Sequence, residues 1–150
     1  MPAAVKYTAV YSCKLVREGS VKTDSALNNT DRARAVACQM LRDLTNEKMI
    51  VIMLDTKLRV IGTTEVTAGI LDASLVHPRE FFRPAIICNA SAVIAVHNHP
   101  SNDLTPSAQD RDVCKRLQEA GTLLGINLMD FLIVNSDDEV CSFAEDGLLR

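Results

Sequence analysis

Two histidines and an aspartate near the middle of the sequence are residue types that bind metal ions in proteins. His97 and His99 lie one residue apart, directly after the apolar run AVIAV, and Asp110 follows in the next predicted helix. Because side chains two residues apart in a strand point to the same face, both imidazoles would project together. Two imidazoles and one carboxylate leave the fourth position of a tetrahedral zinc site open. A water bound there has a pKa of about 7, so the spacing predicts a hydrolytic metal site.

A hydrolytic site also needs a carboxylate that accepts the proton of the water and a donor for the developing oxyanion. Ser107 is three residues before Asp110 on the same predicted helix, so the two side chains lie near one face. The Ser107 hydroxyl is a candidate oxyanion donor, and helix capping is its alternative role. For the carboxylate, the residues alone leave three candidates open: Glu47, Glu65 and Glu80.

Each of these residues also has a simpler interpretation. Two histidines at the end of a strand can be satisfied by ordinary hydrogen bonds, and an aspartate in a first helical turn interacts favourably with the helix dipole. Metal binding is favoured because Pro100, which ends sheet pairing, and the pair Ser107 and Asp110 follow the histidines in register. The sequence contains neither an HExxH motif nor the paired-cysteine signature of zinc deaminases.

A buried strand and a helix must position these groups. The predicted strand SAVIAVHN is followed by a polar loop and then by the predicted helix TPSAQDRDVCKRLQEAGTLLG. Thr105 is the predicted N-cap of this helix, Pro106 occupies its first position, and Gly121 or Gly125 ends it. Within the strand, Asn98 points away from its histidine neighbours, where it could support the site by hydrogen bonding to the backbone.

The other elements predict an α/β domain of two or three layers around a mixed central sheet. Residues 7–16 (YTAVYSCKLV) have the composition of a strand, and residues 19–29 that of a loop. Thr30 or Asp31 can cap the helix RARAVACQMLRDL, and the apolar run MIVIMLD predicts a strand that is buried on both faces. The predicted elements that follow are an antiparallel strand in LRVIGTTEVTAG, a helix from Pro78 and a strand in NLMDFLIVN.

Composition argues against several classes of protein. The chain has 150 residues and a net charge of −3, which fits one domain with no electrostatic tendency to bind nucleic acid. No apolar run is long enough to cross a membrane and the N-terminus lacks a signal-peptide core, so we expect a cytoplasmic protein. The five cysteines are scattered without a CxxC pair, which is typical of reduced thiols in a core.

The full pattern around the histidines resembles the JAMM motif of the MPN-domain metallopeptidases, His-x-His-Pro followed by Ser-x-x-Asp. Here HNHP at residues 97–100 is separated by six residues from SAQD at residues 107–110. The longer stretches HPRE, AVIAVHNHPSNDLTPSAQD, LLGINLMDFLIV and SFAEDGLL are similar to the RadC-like branch of that superfamily. The resemblance covers residues 30–150, so residues 1–29 are the expected N-terminal extension of a strand and a loop.

This resemblance implies a cytidine-deaminase-like α/β fold, in which a mixed central sheet is flanked by helices. It implies one zinc ion per chain, held by His97, His99 and Asp110, with Ser107 beside the reaction centre. These expectations agree with the ligand set that the residue types suggest.

The resemblance also ranks the three glutamates. The catalytic glutamate of the family lies on a strand after the first helix, well upstream of the histidines. Glu47 fits this position, because it follows the first predicted helix and opens EKMIVIMLD. Glu65 is in the next strand and ranks second, and Glu80 is on the helix of the HPRE segment and ranks third.

The sequence departs from the RadC-like pattern at three points. Asn102 stands where the family usually has glycine after HNHPS, and Phe131 stands after Asp130 where the family commonly has histidine. Full-length bacterial relatives often carry an N-terminal helix-hairpin-helix region, which we do not expect in this chain. Its absence would weaken a role in DNA binding.

The expected function is therefore that of a zinc-dependent hydrolase acting on an amide or isopeptide bond of a peptide or protein. Two alternatives remain: an accessory protein of DNA repair or nucleic-acid processing, as the historical family name suggests, and a non-catalytic interaction module. An exposed sheet edge could also support a homodimer.

Overall fold

The protein has one five-stranded mixed sheet with helices on both faces. The computed structural model describes residues 8–24, 28–67 and 76–149. In chain order the elements are α1 (Asn29–Leu41), β1 (Met49–Leu54), β2 (Val60–Thr67), α2 (Pro78–Ile87), β3 (Ala92–Asn98), α3 (Ala108–Leu124), β4 (Asn127–Val134) and β5 (Val140–Ser142). The strand order is β2-β1-β3-β4-β5. The predicted α/β class with a mixed sheet is confirmed.

The centre of the sheet consists of β1 and β3, and every residue of both strands is buried. Their continuous apolar runs, MIVIML and AVIAV, are what a strand covered on both faces requires. β3 is antiparallel to β1 and parallel to β4, while the pairs β1–β2 and β4–β5 are antiparallel. Helix α3 makes the crossover between β3 and β4 that a parallel pair needs.

Two hydrophobic cores lie on opposite faces of the sheet. On one face, Val36 and Leu41 of α1 belong to a core that includes Ile52 of β1. On the other face, Phe82 of α2 and Leu117 of α3 belong to a core with neighbouring strand residues. Successive residues of a strand pack into opposite cores, because strand side chains alternate between the two faces of the sheet. The domain is therefore three-layered, which decides between the two architectures expected from the sequence.

Helix α1 begins earlier than predicted. Its N-cap is Asn28, whose Oδ1 accepts the backbone N–H of Asp31 at 2.8 Å. The predicted caps Thr30 and Asp31 are wrong, because both residues already lie in the first helical turn. Asparagine caps a helix as well as aspartate does, so composition alone did not separate these positions.

Helix α3 begins later than predicted. Its N-cap is Ser107, so the predicted cap Thr105 is wrong. The backbone N–H of Thr105 instead donates to Oδ1 of Asp103 at 2.9 Å, in a turn that this aspartate organises. The helix therefore starts after this turn, and the serine singled out as an oxyanion donor is also a capping residue.

The C-terminal end of α3 separates its two candidate glycines. Gly125 is the C-cap, with a φ of 70° in the left-handed region that glycine adopts without strain. Gly121 lies inside the helix, where an added Cβ would be 2.5 Å from the carbonyl oxygen of Ile126. Glycine is required there because the chain returns close to the helix.

The N-terminal segment differs from the prediction. Residues 8–24 contain neither helix nor strand, so the strand expected over residues 7–16 is wrong for residues 8–16, and Tyr7 lies outside the described residues. Val10 and Tyr11 are 96% and 88% exposed. A strand needs a neighbour to satisfy its backbone, and no strand in the described part of the chain pairs with this segment.

Across the described ranges, no helix combines the length and the apolar character needed to cross a bilayer.

Candidate metal centre

Two histidines and one aspartate converge where β3 ends and α3 begins. Nδ1 of His97 lies 3.0 Å from Oδ1 of Asp110, and Nε2 of His99 lies 3.3 Å from Oδ2 of the same carboxylate. Each residue offers a ligand atom within 4.8 Å of the other two. The His97 and Asp110 side chains are each only 6% exposed. The structure thus brings together the three residues predicted from the sequence.

The arrangement fits a shared cation. In a tetrahedral zinc site with bonds of about 2.0–2.1 Å, neighbouring ligand atoms are about 3.3 Å apart, which is the separation between Nε2 of His99 and Oδ2 of Asp110. Nε2 of His97 is buried and has no hydrogen-bond partner among the described residues. An unsatisfied buried imidazole nitrogen costs free energy in a purely structural role, and binding a metal or a solvent molecule would remove that cost.

The Asp110 carboxylate is held in its ionised form. Burial on its own raises the pKa of this carboxyl, but hydrogen bonds from His97, His99 and Ser107 outweigh burial and hold the pKa well below its usual range. A buried carboxylate that stays charged is found in proteins where it is paired or binds a metal. Asp110 therefore has the protonation state that a metal ligand needs.

The first turn of α3 fixes the direction of Asp110. Oγ of Ser107 accepts the Asp110 backbone N–H at 3.0 Å, and Oδ2 of Asp110 accepts the Ser107 backbone N–H at 2.8 Å. This reciprocal capping box satisfies two donors of the helix start and holds the carboxylate toward the strand end. Capping, which sequence analysis gave as the alternative role of Ser107, is present in the structure.

A loop carbonyl orients His99. The Nδ1–H of His99 donates to the backbone oxygen of Asp103 at 2.6 Å, since a carbonyl can only accept. In the neutral imidazole Nε2 then carries the lone pair, as ligation requires, whereas in the metal-free protein the protonated imidazole donates from Nε2 to Asp110. The hydrogen bond to Asp110 raises the pKa of the His99 imidazole, although burial acts in the opposite direction.

Of the three candidate glutamates, Glu47 is the one that lies at the site. Its Oε2 is 3.6 Å from Nε2 of His97, and its side chain is 44% exposed. The antiparallel register of β1 and β3 pairs Met49 with His97, which places the residues before β1 beside the strand end. Glu65 instead forms an ion pair with Lys48 at 3.0 Å.

The third candidate, Glu80, lies on α2 and pairs with Arg83 at 2.8 Å. It does not line the cavity at the candidate ligands. Its charge is therefore neutralised by an arginine on the same helix, which is typical of a structural ion pair at positions i and i+3.

An open cavity of about 270 Å³ adjoins the three candidate ligands. Its polar wall includes Ser101, Thr105 and Gln109, none of which sequence analysis predicted as a site residue. They lie in a loop and a first helical turn, where no regular spacing indicates which side chains face inward. Ser107 and Glu47 line the same cavity, so both predicted catalytic residues border the space beside the ligands.

An apolar floor underlies this cavity. It contains Met49, Val113 and Phe131. Phe131 is fully buried and packs against Phe143 with ring centroids 4.8 Å apart. The residue that replaces the expected histidine of the family therefore adds to the core and offers no polar group to the site.

Asn102, the other departure, has a left-handed backbone conformation. Its φ is 65°, in the left-handed region that asparagine tolerates better than most residues. Its Oδ1 also accepts the backbone N–H of Ser136 at 3.1 Å. The Asn102 side chain therefore connects the loop after His99 to the turn that follows β4.

Comparison with known proteins assigns the family. A family model described as the RadC-like JAB domain matches residues 27–148. The chain belongs to the RadC-like JAB domain family. The match spans every helix and strand, so in this JAB domain the candidate ligands lie on the β3–α3 connection of the family fold.

Curated relatives of this RadC-like domain are similar over most of the chain. A UPF0758 protein of Thermotoga maritima is 53% identical over 112 residues, which are 75% of this chain and 50% of that protein. A UPF0758 protein of Geobacillus thermodenitrificans is 50% identical over 107 residues, which are 71% of this chain and 47% of that protein. A UPF0758 protein of Trichlorobacter lovleyi is 46% identical over 109 residues, which are 73% of this chain and 47% of that protein. The chain thus spans about half the length of these relatives.

Proposed function

We propose that this protein is a zinc-dependent hydrolase that cleaves an amide or isopeptide bond in a peptide or protein. The observation that carries the proposal is that two imidazoles and a buried carboxylate each offer a ligand atom within 4.8 Å of the other two. The JAB superfamily includes metallopeptidases, which supports the reaction class. Two imidazoles with one carboxylate favour zinc among the common divalent cations.

His97, His99 and Asp110 would hold the zinc ion. A zinc ion in such a site supplies a Lewis acid and a water of lowered pKa. The carboxylate of Glu47, beside His97 and partly exposed to the cavity, accepts the proton of the attacking water. The same carboxylate then donates this proton to the leaving nitrogen.

Ser107 is the proposed donor to the oxyanion. Its oxygen accepts the Asp110 backbone N–H in the capping box, but a hydroxyl group that accepts one hydrogen bond still has its own proton to donate. The side chain is exposed at the cavity wall, so this proton can reach a substrate carbonyl. Capping and catalysis are therefore compatible roles for one serine.

The charges of the cavity favour an amide substrate over a phosphodiester. Its lining includes the carboxylates of Glu47, Asp103 and Asp110, and no lysine or arginine of the described residues lines it. A neutral amide does not meet the repulsion that a phosphodiester would meet from these carboxylates. This supports a peptide or protein substrate and disfavours nucleic-acid cleavage at the same site.

The test compares zinc-loaded wild-type protein with Glu47→Gln and, as a matched control, Glu65→Gln. The substrates are quenched fluorescent peptides that contain either linear amide or ε-lysyl isopeptide bonds. We expect the Glu47→Gln protein to bind stoichiometric zinc and to lose about 10²- to 10⁴-fold in turnover, while Glu65→Gln remains close to wild type. Wild-type turnover in Glu47→Gln would remove this residue as the base.

The nucleic-acid alternative is tested by gel shift at several salt concentrations with single- and double-stranded DNA. Binding that weakens steeply with salt would indicate phosphate contacts and support that alternative. We expect no retardation at low salt, because the chain has a net charge of −3.

A further inference from the structure

Asn98, the residue between the two candidate histidine ligands, reaches the opposite side of the strand end. It is buried, with 2% of its surface exposed. Its Oδ1 accepts the backbone N–H of Lys48 at 2.6 Å, and its Nδ2 donates to the backbone oxygen of Asn46 at 3.0 Å. Its own backbone N–H donates to the Lys48 oxygen at 3.3 Å. A single residue thus holds the peptide groups on both sides of Glu47.

This position matters because Glu47 precedes the first residue of β1, Met49, and lies outside the regular ladder of the sheet. Among the described contacts, the side-chain hydrogen bonds that fix the backbone on either side of Glu47 come from Asn98. Strand alternation explains the geometry: His97 and His99 face the cavity, and the residue between them must face away. The three hydrogen bonds therefore couple the placement of Glu47 to that of both histidines.

We propose that Asn98 is a positioning residue that holds the Glu47 carboxylate beside the candidate metal ligands. The proposal rests on the proposed function, in which Glu47 is the base. The carboxamide suits this task because it provides one acceptor and one donor on a short side chain, whereas aspartate provides only acceptors and leucine provides neither. A carboxylate displaced by about 1 Å from its working position can cost about 100-fold in rate.

The alternative is that Asn98 only stabilises the loop. Asn135 offers a matched control, because it is another asparagine with 2% exposure. Its Oδ1 accepts the backbone N–H groups of Asp137 and Glu139, so it also holds a loop together. Replacing either asparagine by leucine keeps the branching of the side chain at Cγ and removes its hydrogen bonds, but of the two only Asn98 adjoins Glu47.

The experiment uses the full chain as Asn98→Leu, Asn98→Asp and Asn135→Leu, with zinc alone as the first probe. NMR follows the carboxyl carbon of Glu47, assigned by its loss in Glu47→Gln, before and after zinc is added. Hydrogen exchange of the Lys48 amide reports whether its hydrogen bond to the Asn98 side chain is intact. Chelator competition reports zinc affinity. None of these readouts requires a substrate.

We expect zinc to shift the Glu47 carboxyl resonance strongly in wild type and Asn135→Leu, and weakly in Asn98→Leu, whose Lys48 amide exchanges faster. Zinc affinity stays unchanged, because the ligands remain. Asn98→Asp, which keeps the acceptor for Lys48, gives an intermediate shift. A full zinc-induced shift in Asn98→Leu would overturn the proposal, as would an equal loss of the shift in Asn135→Leu.

Turnover of the peptide substrates gives a second, independent arm. We expect Asn98→Leu to lower kcat by about 10- to 100-fold with little change in KM. Added to Glu47→Gln, the same substitution should cause no further loss, because the carboxylate it positions is already gone. An equal loss in both backgrounds would show a general structural role. If wild-type protein lacks zinc-dependent turnover, the proposed function fails, and the carboxyl shift still decides whether Asn98 positions Glu47.

Discussion

Strands β3 and β4 are parallel neighbours, and each leads at the same sheet edge to a buried asparagine and a polar loop. The 135–139 turn after β4 satisfies its own groups: Asn135 accepts two backbone N–H groups, and its Nδ2 donates to the Glu139 carboxylate at 2.7 Å. The end of β3 does not, because Nε2 of His97 is buried and makes no hydrogen bond to the described residues. Buried polar groups are normally paired, so this difference distinguishes a site from a turn.

Residue composition would not have separated the two loops. Both contain asparagine, serine and aspartate, and both follow a strand whose last four residues are buried. What differs is direction: in the turn after β4 donors and acceptors face each other, while after β3 the ligand atoms of three residues face one point. Four substitutions or conditions test this contrast, from the largest expected effect to the smallest.

The largest effect is expected from Asp110→Ala. Loss of a direct ligand should weaken zinc binding by more than the roughly 100-fold that loss of an outer partner can cost, and turnover should disappear with it. The matched control is Glu139→Ala in the 135–139 turn, which should lower the free energy of unfolding by about 1 kcal/mol and leave zinc affinity unchanged. Calorimetric zinc titration and urea unfolding check both variants. Equal zinc affinity in the two variants would contradict the assignment of the metal site to the β3–α3 connection and of a structural role to the 135–139 turn.

Ser107→Ala is expected to have two separable effects. Loss of the cap should lower the free energy of unfolding by about 1 kcal/mol. Loss of the hydroxyl donor should lower kcat by about 100-fold or more, with zinc retained. Ser107→Thr keeps both the cap and the hydroxyl and should stay near wild type. A stability loss in Ser107→Ala without a kcat loss would reduce this serine to a capping residue.

The pH dependence should distinguish the metal-loaded from the metal-free protein. The hydrogen bond to Asp110 raises the pKa of His99 above its ordinary value of 6.5, and a metal ligand must be neutral. Zinc affinity should therefore fall as the pH drops through this raised pKa. In the metal-free protein, protonated His99 stabilises the fold, and this contribution is lost as the pH rises through the same pKa. Chelator competition and thermal unfolding between about pH 5 and 8 measure the two opposite trends; parallel trends would contradict this prediction.

The smallest effect is expected at Asn102, which connects the two loops. Asn102→Gly keeps the positive φ and loses the side-chain hydrogen bonds to Ser136 and Asp137, so the free energy of unfolding should fall by about 1 kcal/mol or more. Asn102→Ala adds the strain of a left-handed backbone and should cost about 1–2 kcal/mol more. Zinc affinity should be the same in both, as measured by titration. A large loss of zinc in Asn102→Gly would mean that the two loops are not independent.

Local patterns predicted most of the strands and helices, because a buried strand and an amphipathic helix each have a characteristic period. The errors lie at the ends of elements and in the N-terminal segment. Thr105 and Ser107 are both good capping residues, and the Asp103 turn that decides between them is a loop contact, which local patterns do not predict. The strand predicted over residues 7–16 has a suitable composition but no partner in the described sheet.

The sequence by itself determined the three candidate ligands, because His97, His99 and Asp110 lie on two consecutive elements, where strand alternation and the first helical turn act locally. The residue types alone left three glutamates open and the family resemblance ranked Glu47 first, but only the tertiary structure shows which glutamate meets the ligands. Glu47 lies just before β1, and Glu65 lies within β2. The β1–β3 register brings Glu47 to His97, while Glu65 forms an ion pair with Lys48. Local periodicity is the same whichever strands pair, so register between distant segments comes from packing the whole sheet.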